Sequence, residues 1–365
     1  MKKIFLSISA LFVAAALLFT GCAQRVHFSF SAYWTAAGSH PENFSETSVY
    51  SVEHVTDYSR ETAENSVDDF SAKDNEYFTA AYENGQYTVK IESVTSIPAD
   101  LGIDIGDYTE LYRIETKFNI TVTYHVISTD KSYTFDDRIE SVAYCKAAGA
   151  SLAPVYSRKS YDSTSVGGTE DSVKINRFVY ETEINWFYQS GVALLSKIAA
   201  EKPASEYDRD EAYSFYTVEN EQIEIKYEEG TVLDNETLFF AIRGLNPSSD
   251  SFTASLKIID TAYNSEQPVS AASSRAYSFD DDWTLVSKNG TEDETKQTIT
   301  ESMPVCLVTV QRGNTTYSGS PKHCYYQLES DKSVPYRALF VRMVDKLPND
   351  LGALDYKLQS ITTSE

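Results

Sequence analysis

The sequence predicts a mainly β protein: a large, curved antiparallel sheet with one or two short helices. Three observations predict it. Tyr (26) and Phe (18) are abundant, and aromatic residues favour pleated, half-buried strands. Runs with a two-residue hydrophobic period recur, while helical periods are scarce. One such run is far longer than usual. Tyr112, Ile114, Thr116, Phe118, Ile120, Val122, Tyr124 and Val126 share one face; Arg113, Glu115, Lys117, Asn119, Thr121, Thr123 and His125 share the other. At about 3.3 Å per residue it spans roughly 50 Å, against the usual five or six residues. Strands of that length imply a sheet with one dry and one wet face.

In chain order, residues 1–21 read as a signal peptide. Lys2 and Lys3 precede an apolar stretch, residues 4–19, broken only by Ser7 and Ser9. It is too short to read as a spanning helix. It ends in Leu18-Phe19-Thr20-Gly21-Cys22, which resembles the lipobox of bacterial lipoproteins, with Phe19 where that family prefers Leu or Val. The resemblance implies cleavage before Cys22, acylation of its thiol (a palmitate-like modification) and an extracytoplasmic body held at the bacterial cell membrane. Two or three acyl chains hold firmly where one is marginal. Residues 22–47 form the N-terminal segment, with strand alternation at 26–34 and no Ser/Gly-rich spacer, so a short tether is expected. Residues 48–365 read as one large β domain, with a possible sub-boundary at 201–212.

Within that domain a strand is expected at 49–55 and a polar loop at 56–73. Asn84-Gly85 sits between two aromatic-rich arms, a hairpin signal because Asn-Gly adopts type I′ angles. After the long strand come 133–144, 154–161 and 173–186, a meander. Leu194, Leu195 and Ile198 suggest a helix over 192–200. Strand 222–227 follows. Asp234 stands where an N-cap would, before a helix over 235–243 stopped by Gly244 and Pro247. Further strands are read at 252–259, 284–287, 303–312, 323–329, 338–344 and 356–361. Residues 265–282 and 289–301 read as polar loops.

Removal of the signal takes two lysines and no acid, so the net charge moves from −23 to −25. Such a surface repels nucleic acid and anionic headgroups, and the lipid on Cys22 has to supply the membrane hold. Cys145, Cys306 and Cys324 remain, an odd number. Cys306 and Cys324 lie on two apolar runs that could pair as strands, a candidate disulfide; the alternative is buried thiols acting as small hydrophobes. Five Asn-X-Ser/Thr sequons are treated as composition in a bacterial chain.

Three stretches carry a second resemblance: Tyr144-Cys145-Lys146-Ala147-Ala148-Gly149-Ala150-Ser151-Leu152-Ala153-Pro154, then Asp234-Asn235-Glu236-Thr237-Leu238-Phe239-Phe240-Ala241-Ile242-Arg243-Gly244-Leu245, then Leu351-Gly352-Ala353-Leu354-Asp355-Tyr356-Lys357-Leu358. With the meander, over residues 108–361, they resemble the half-barrel lipoprotein-carrier (LolA-like) fold and its uncharacterised relatives. That implies a half-barrel with a helical lid over an apolar groove for acyl chains, and no catalytic residue. The chain is longer than a minimal carrier, and carriers are soluble whereas this one reads as anchored.

No catalytic or metal motif with a supporting context occurs. Tyr317-Ser318-Gly319-Ser320-Pro321 reads as a turn, and Asp280, Asp281 and Asp282 as a solvated acidic turn. His323 and Cys324 are adjacent on a strand and so face opposite ways. The expectation is a non-enzymatic, membrane-anchored lipoprotein that binds an apolar or lipid-like ligand, with no cofactor, metal or nucleic acid. The second reading is an envelope interaction module for protein or glycan, and the third an enzyme whose paired carboxylates would be brought together only in space.

Overall fold

The computed structural model describes residues 45–364 apart from 62–66, 104–110, 149–150, 170–172, 188–189, 201–212, 228–231, 236, 246, 248–251, 290–292, 314–319 and 329–337. The expected signal peptide, Cys22, strand 26–34 and the sub-boundary at 201–212 lie outside the described residues.

The sheet is organised around β1 (Ser45–Val55), which pairs antiparallel with β19 (Ala353–Ser364) on one side and β4 (Phe78–Val94) on the other. From β4 an antiparallel meander runs through β5 (Leu111–Val126), β6 (Lys131–Ala148), β7 (Ser151–Gly167), β8 (Lys174–Phe187) and β9 (Val192–Ala199). β11 (Glu221–Lys226) extends it past β9, and the short β10 (Tyr213–Tyr216) runs parallel to the start of β8. From β19 the sheet continues the other way through β18 (Phe340–Lys346), β17 (Lys322–Gln327), β16 (Met303–Arg312), β13 (Ser265–Phe279) and β12 (Thr253–Asp260). β14 (Trp283–Asn289) pairs with β15 (Asp293–Ile299) and lies parallel to the end of β19. These strands form one 17-stranded sheet; β2 (Ser59–Glu61) and β3 (Val67–Asp69) make a separate ribbon.

The protein is therefore mainly β with a large antiparallel sheet, as expected. Strand pairing does not close it. Its outer strands β11 and β12 are linked through the chain after β11, where Leu233 bridges Ile258. The Leu233 N–H donates to Lys257 O (2.8 Å), and the Ile259 N–H donates to Leu233 O (2.9 Å). Trp186, Leu195, Ile225, Val232 and Ile259 pack together at this seam.

β5 keeps its alternation, with Tyr112, Ile114, Thr116, Ile120, Val122, Tyr124 and Val126 buried and Phe118 half-buried. Four expectations need correction. Asn84-Gly85 is no turn: β4 runs through it as one strand, with a bulge against β5 between Glu83 and Gln86 and Asn84 at φ 54°. A Cβ on Gly85 would lie 2.5 Å from Val52 O, so the glycine serves a close crossing of β1 rather than a hairpin. Residues 192–199 are a strand, not a helix. Ala193 and Leu195 point inward and the backbone pairs with both β8 and β11. The "loops" at 265–282 and 289–301 contain β13 and β15. β13 was obscured by small inward residues, Ala271 and Ser273, beside the apolar Val269 and Phe279. The loop at 56–73 contains the β2–β3 ribbon, pinned by buried Tyr58 and Phe70.

The helix α1 (Leu238–Gly244) is present but starts later than expected. Asp234 acts one turn upstream. Its Oδ1 accepts the Thr237 N–H (2.7 Å), and Thr237 Oγ1 accepts the Asp234 N–H (3.3 Å). This reciprocal arrangement follows the logic of a capping box. Pairing tightens the first turn of a seven-residue helix that could not persist alone.

Candidate functional site

α1 is held inside the curve of the sheet. Arg243 donates to both oxygens of Glu46 on β1 (2.8 and 3.2 Å), and each side chain is 2 % exposed. Tyr326 Oη donates to Phe239 O (3.1 Å), and the Phe239 ring stacks on Phe340 at 5.8 Å. Tyr50 Oη donates to Phe340 O (2.8 Å), and burial pushes its hydroxyl well above the ordinary range. The helix is thus fastened to β1, β17 and β18.

Beneath it lies a cavity of about 270 Å³. Leu238 and Phe239 of α1 form its roof, with Asn235 beside them. One wall comes from Tyr87, Phe118 and Ile139, registered neighbours on β4, β5 and β6. Next to that apolar row runs a polar one, Thr116, Ser141 and Lys159, again registered partners. Thr116 and Ser141 share a hydrogen bond of 2.7 Å, and Thr182 of β8 continues the row. The Lys159 ammonium sits 5.1 Å from the Tyr161 ring centroid.

The opposite wall is built from β16 to β19. Met343 faces Tyr356 in register, and Tyr356 meets Tyr87 edge-on at 5.6 Å. One row further along are Val310, Lys322, Asp345 and Leu354, each opposite the next. Lys322 and Asp345 form an ion pair. Arg312, the last residue of β16, donates to Asn235 Oδ1 (3.0 Å). Arg312, Lys322 and Asp345 therefore sit near strand ends and Lys159 midway along β7, while Met343, Tyr356 and Phe118 form the apolar part.

A second constellation lies on the other side of β17. His323 is fully buried and places Nε2 2.8 Å from Asp68 Oδ2 and Nδ1 2.9 Å from Tyr58 Oη. Tyr58 Oη is 2.7 Å from Tyr325 Oη. Asp68 orients the neutral ring so that Nε2–H donates to it and Nδ1 accepts from Tyr58. Burial lowers the His323 pKa, and Asp68 opposes the shift. Phe70 packs on the ring at 4.5 Å. This relay ties the β2–β3 ribbon to the sheet, as does Arg342, which lies over the Tyr58 ring (6.0 Å) while pairing bidentately with Asp355 of β19.

A third group is a buried carboxyl. Asp137 accepts from the Thr164 N–H (2.8 Å) and Thr164 Oγ1 (2.9 Å), and burial raises it to about 6. Thr164 Oγ1 also reaches Tyr124 Oη at 3.2 Å.

Of the residues singled out from the sequence, Cys22 lies outside the described residues. Cys306 and Cys324 do fall on neighbouring strands, β16 and β17, but stand as free buried thiols, as does Cys145. The register sets Cys306 opposite Tyr326 and Cys324 opposite Val308, so the two are diagonal rather than facing. Burial pushes the Cys306 thiol up to about 12. The cavity residues were not singled out. Their only signal was the predicted helix, whose Phe239 forms the roof; the rest converge from distant strands.

Among the described residues no group of three or more His, Cys, Asp or Glu side chains could hold a metal ion. No protein-family model matches the chain, and neither does any curated protein. Among solved structures the chain is similar to the β-barrel-like protein of domain of unknown function DUF1849 from Brucella abortus, at 8 % identity and a TM-score of 0.39, over 87 % of this chain and 96 % of that one.

Proposed function

We propose that this protein is a membrane-anchored, extracytoplasmic lipoprotein that binds an apolar or lipid-like ligand without chemical conversion. In this reading Cys22 carries the lipid and the cavity under α1 takes the ligand. The observation that carries it is a partly open pocket of about 270 Å³ under α1, walled by the apolar side chains Tyr87, Phe118, Ile139, Met343 and Tyr356. A pocket of this kind, mostly apolar with a few placed polar groups, is the ordinary form of a small-molecule site.

The test is native mass spectrometry of residues 23–365, purified without detergent, followed by organic extraction. A stoichiometric co-purifying lipid is expected. A bare mass, with no uptake of a fluorescent fatty acid, would reject the reading and favour an envelope interaction module. Anchoring is tested separately. Wild-type protein should partition into the membrane fraction with an acylated N-terminal peptide, and Cys22→Ser should abolish both.

A further inference from the structure

We infer that the occupant of this cavity is an anionic amphiphile: one carboxylate or phosphate group on a single apolar body, bound with its charged end at the strand termini. The inference rests on the binding reading above and adds the ligand's charge and direction.

The lining carries Lys159, Arg312 and Lys322 against a single carboxylate, Asp345. That local excess of positive charge stands inside a chain of net charge −23. Lys322 pairs with Asp345, so the net positive charge of the lining comes from the half-buried Lys159 and Arg312. It suits an anion, which a guanidinium and ammonium groups bind through charge-assisted hydrogen bonds.

The register gives the ligand a direction. Arg312 ends β16, Lys322 begins β17, and Asp345 is the penultimate residue of β18. These three charges, with a net of one positive, lie where the strands end, whereas Lys159 sits midway along β7. One register step inward the facing pair is Met343 and Tyr356, with the Phe239 ring above. Asn235 Oδ1 holds Arg312 in place, which reduces the side-chain freedom lost on binding. The volume sets the size. A pocket of about 270 Å³ takes one compact or short-chain apolar body such as a decyl chain.

The experiment titrates the full chain with decanoate, with decanol and with inorganic phosphate. Decanoate should bind roughly tenfold to a hundredfold tighter than decanol, the range expected of charge-assisted hydrogen bonds. Arg312→Gln should weaken decanoate binding by a similar factor, and an unchanged circular-dichroism spectrum and unfolding midpoint show that the variant is folded. Equal affinity for decanoate and decanol would overturn this inference and leave the binding reading standing. Binding of neither would overturn both. Inorganic phosphate that binds as tightly as decanoate and displaces it would show a plain anion site, and the amphiphile would fall.

Discussion

Glu46 and Arg243 stand 197 positions apart and meet in a bidentate ion pair that is almost wholly buried. Such a pair adds little net stability, but removing one partner strands a charge away from water, at a cost of about 3–5 kcal/mol. Glu46→Gln and Arg243→Met should each lower the unfolding free energy by about that amount in urea titrations. The double variant Glu46→Leu/Arg243→Met should recover most of the loss. Additive losses in the double variant would mean that the two side chains act independently. Nothing in the sequence marks this pair. Glu46 sits among polar residues near the end of the expected N-terminal segment, and Arg243 looks like an ordinary cation in the last turn of a helix. The cavity was hidden for the same reason. Lys159, Arg312 and Lys322 lie on three strands, and only the register places them around one space.

At the level of elements, most strands were legible because the two-residue period is local. The long alternation of β5 and the full extent of β16 read directly from the sequence. What failed was local signal overridden by tertiary context. Asn84-Gly85 has turn chemistry, yet it serves a bulge where β4 passes β1. Gly85→Ala tests this: its Cβ would fall 2.5 Å from Val52 O and 2.7 Å from Val52 Cβ. The backbone must shift, with an expected loss of about 1–3 kcal/mol and faster amide exchange along β1. A stability equal to wild type would show that the close approach is not maintained in solution. β9 failed in the opposite direction. Val192, Ala193, Leu194 and Leu195 are a short apolar run that periodicity alone does not assign. Its partners β8 and β11 decide the matter.

At the scale of the molecule, the buried titratable groups make stability depend on pH in two opposed ways. Asp137 has its carboxyl raised to about 6, so between about pH 4 and pH 6 the folded chain holds a proton that the unfolded chain has released. Its contribution to stability therefore falls as pH rises through that window, by roughly 2–3 kcal/mol. His323, lowered by burial, acts the other way: the folded form resists protonation, and stability is lost as pH falls below the ordinary histidine value. Asp137→Asn isolates the first effect. The difference in unfolding free energy between wild type and variant should shift by about 2–3 kcal/mol from pH 4 to pH 7, in favour of the variant at the higher pH. A pH-independent difference would mean that Asp137 titrates normally. The ion pair on β1 has a mechanical consequence as well. β1, the first described strand, is bolted to the cavity roof through the Glu46–Arg243 pair. On the proposed anchoring at Cys22, tension along the tether would pull on the strand that carries the roof. If the pocket holds the proposed ligand, a tug from the bilayer and the release of that ligand would be one mechanical event.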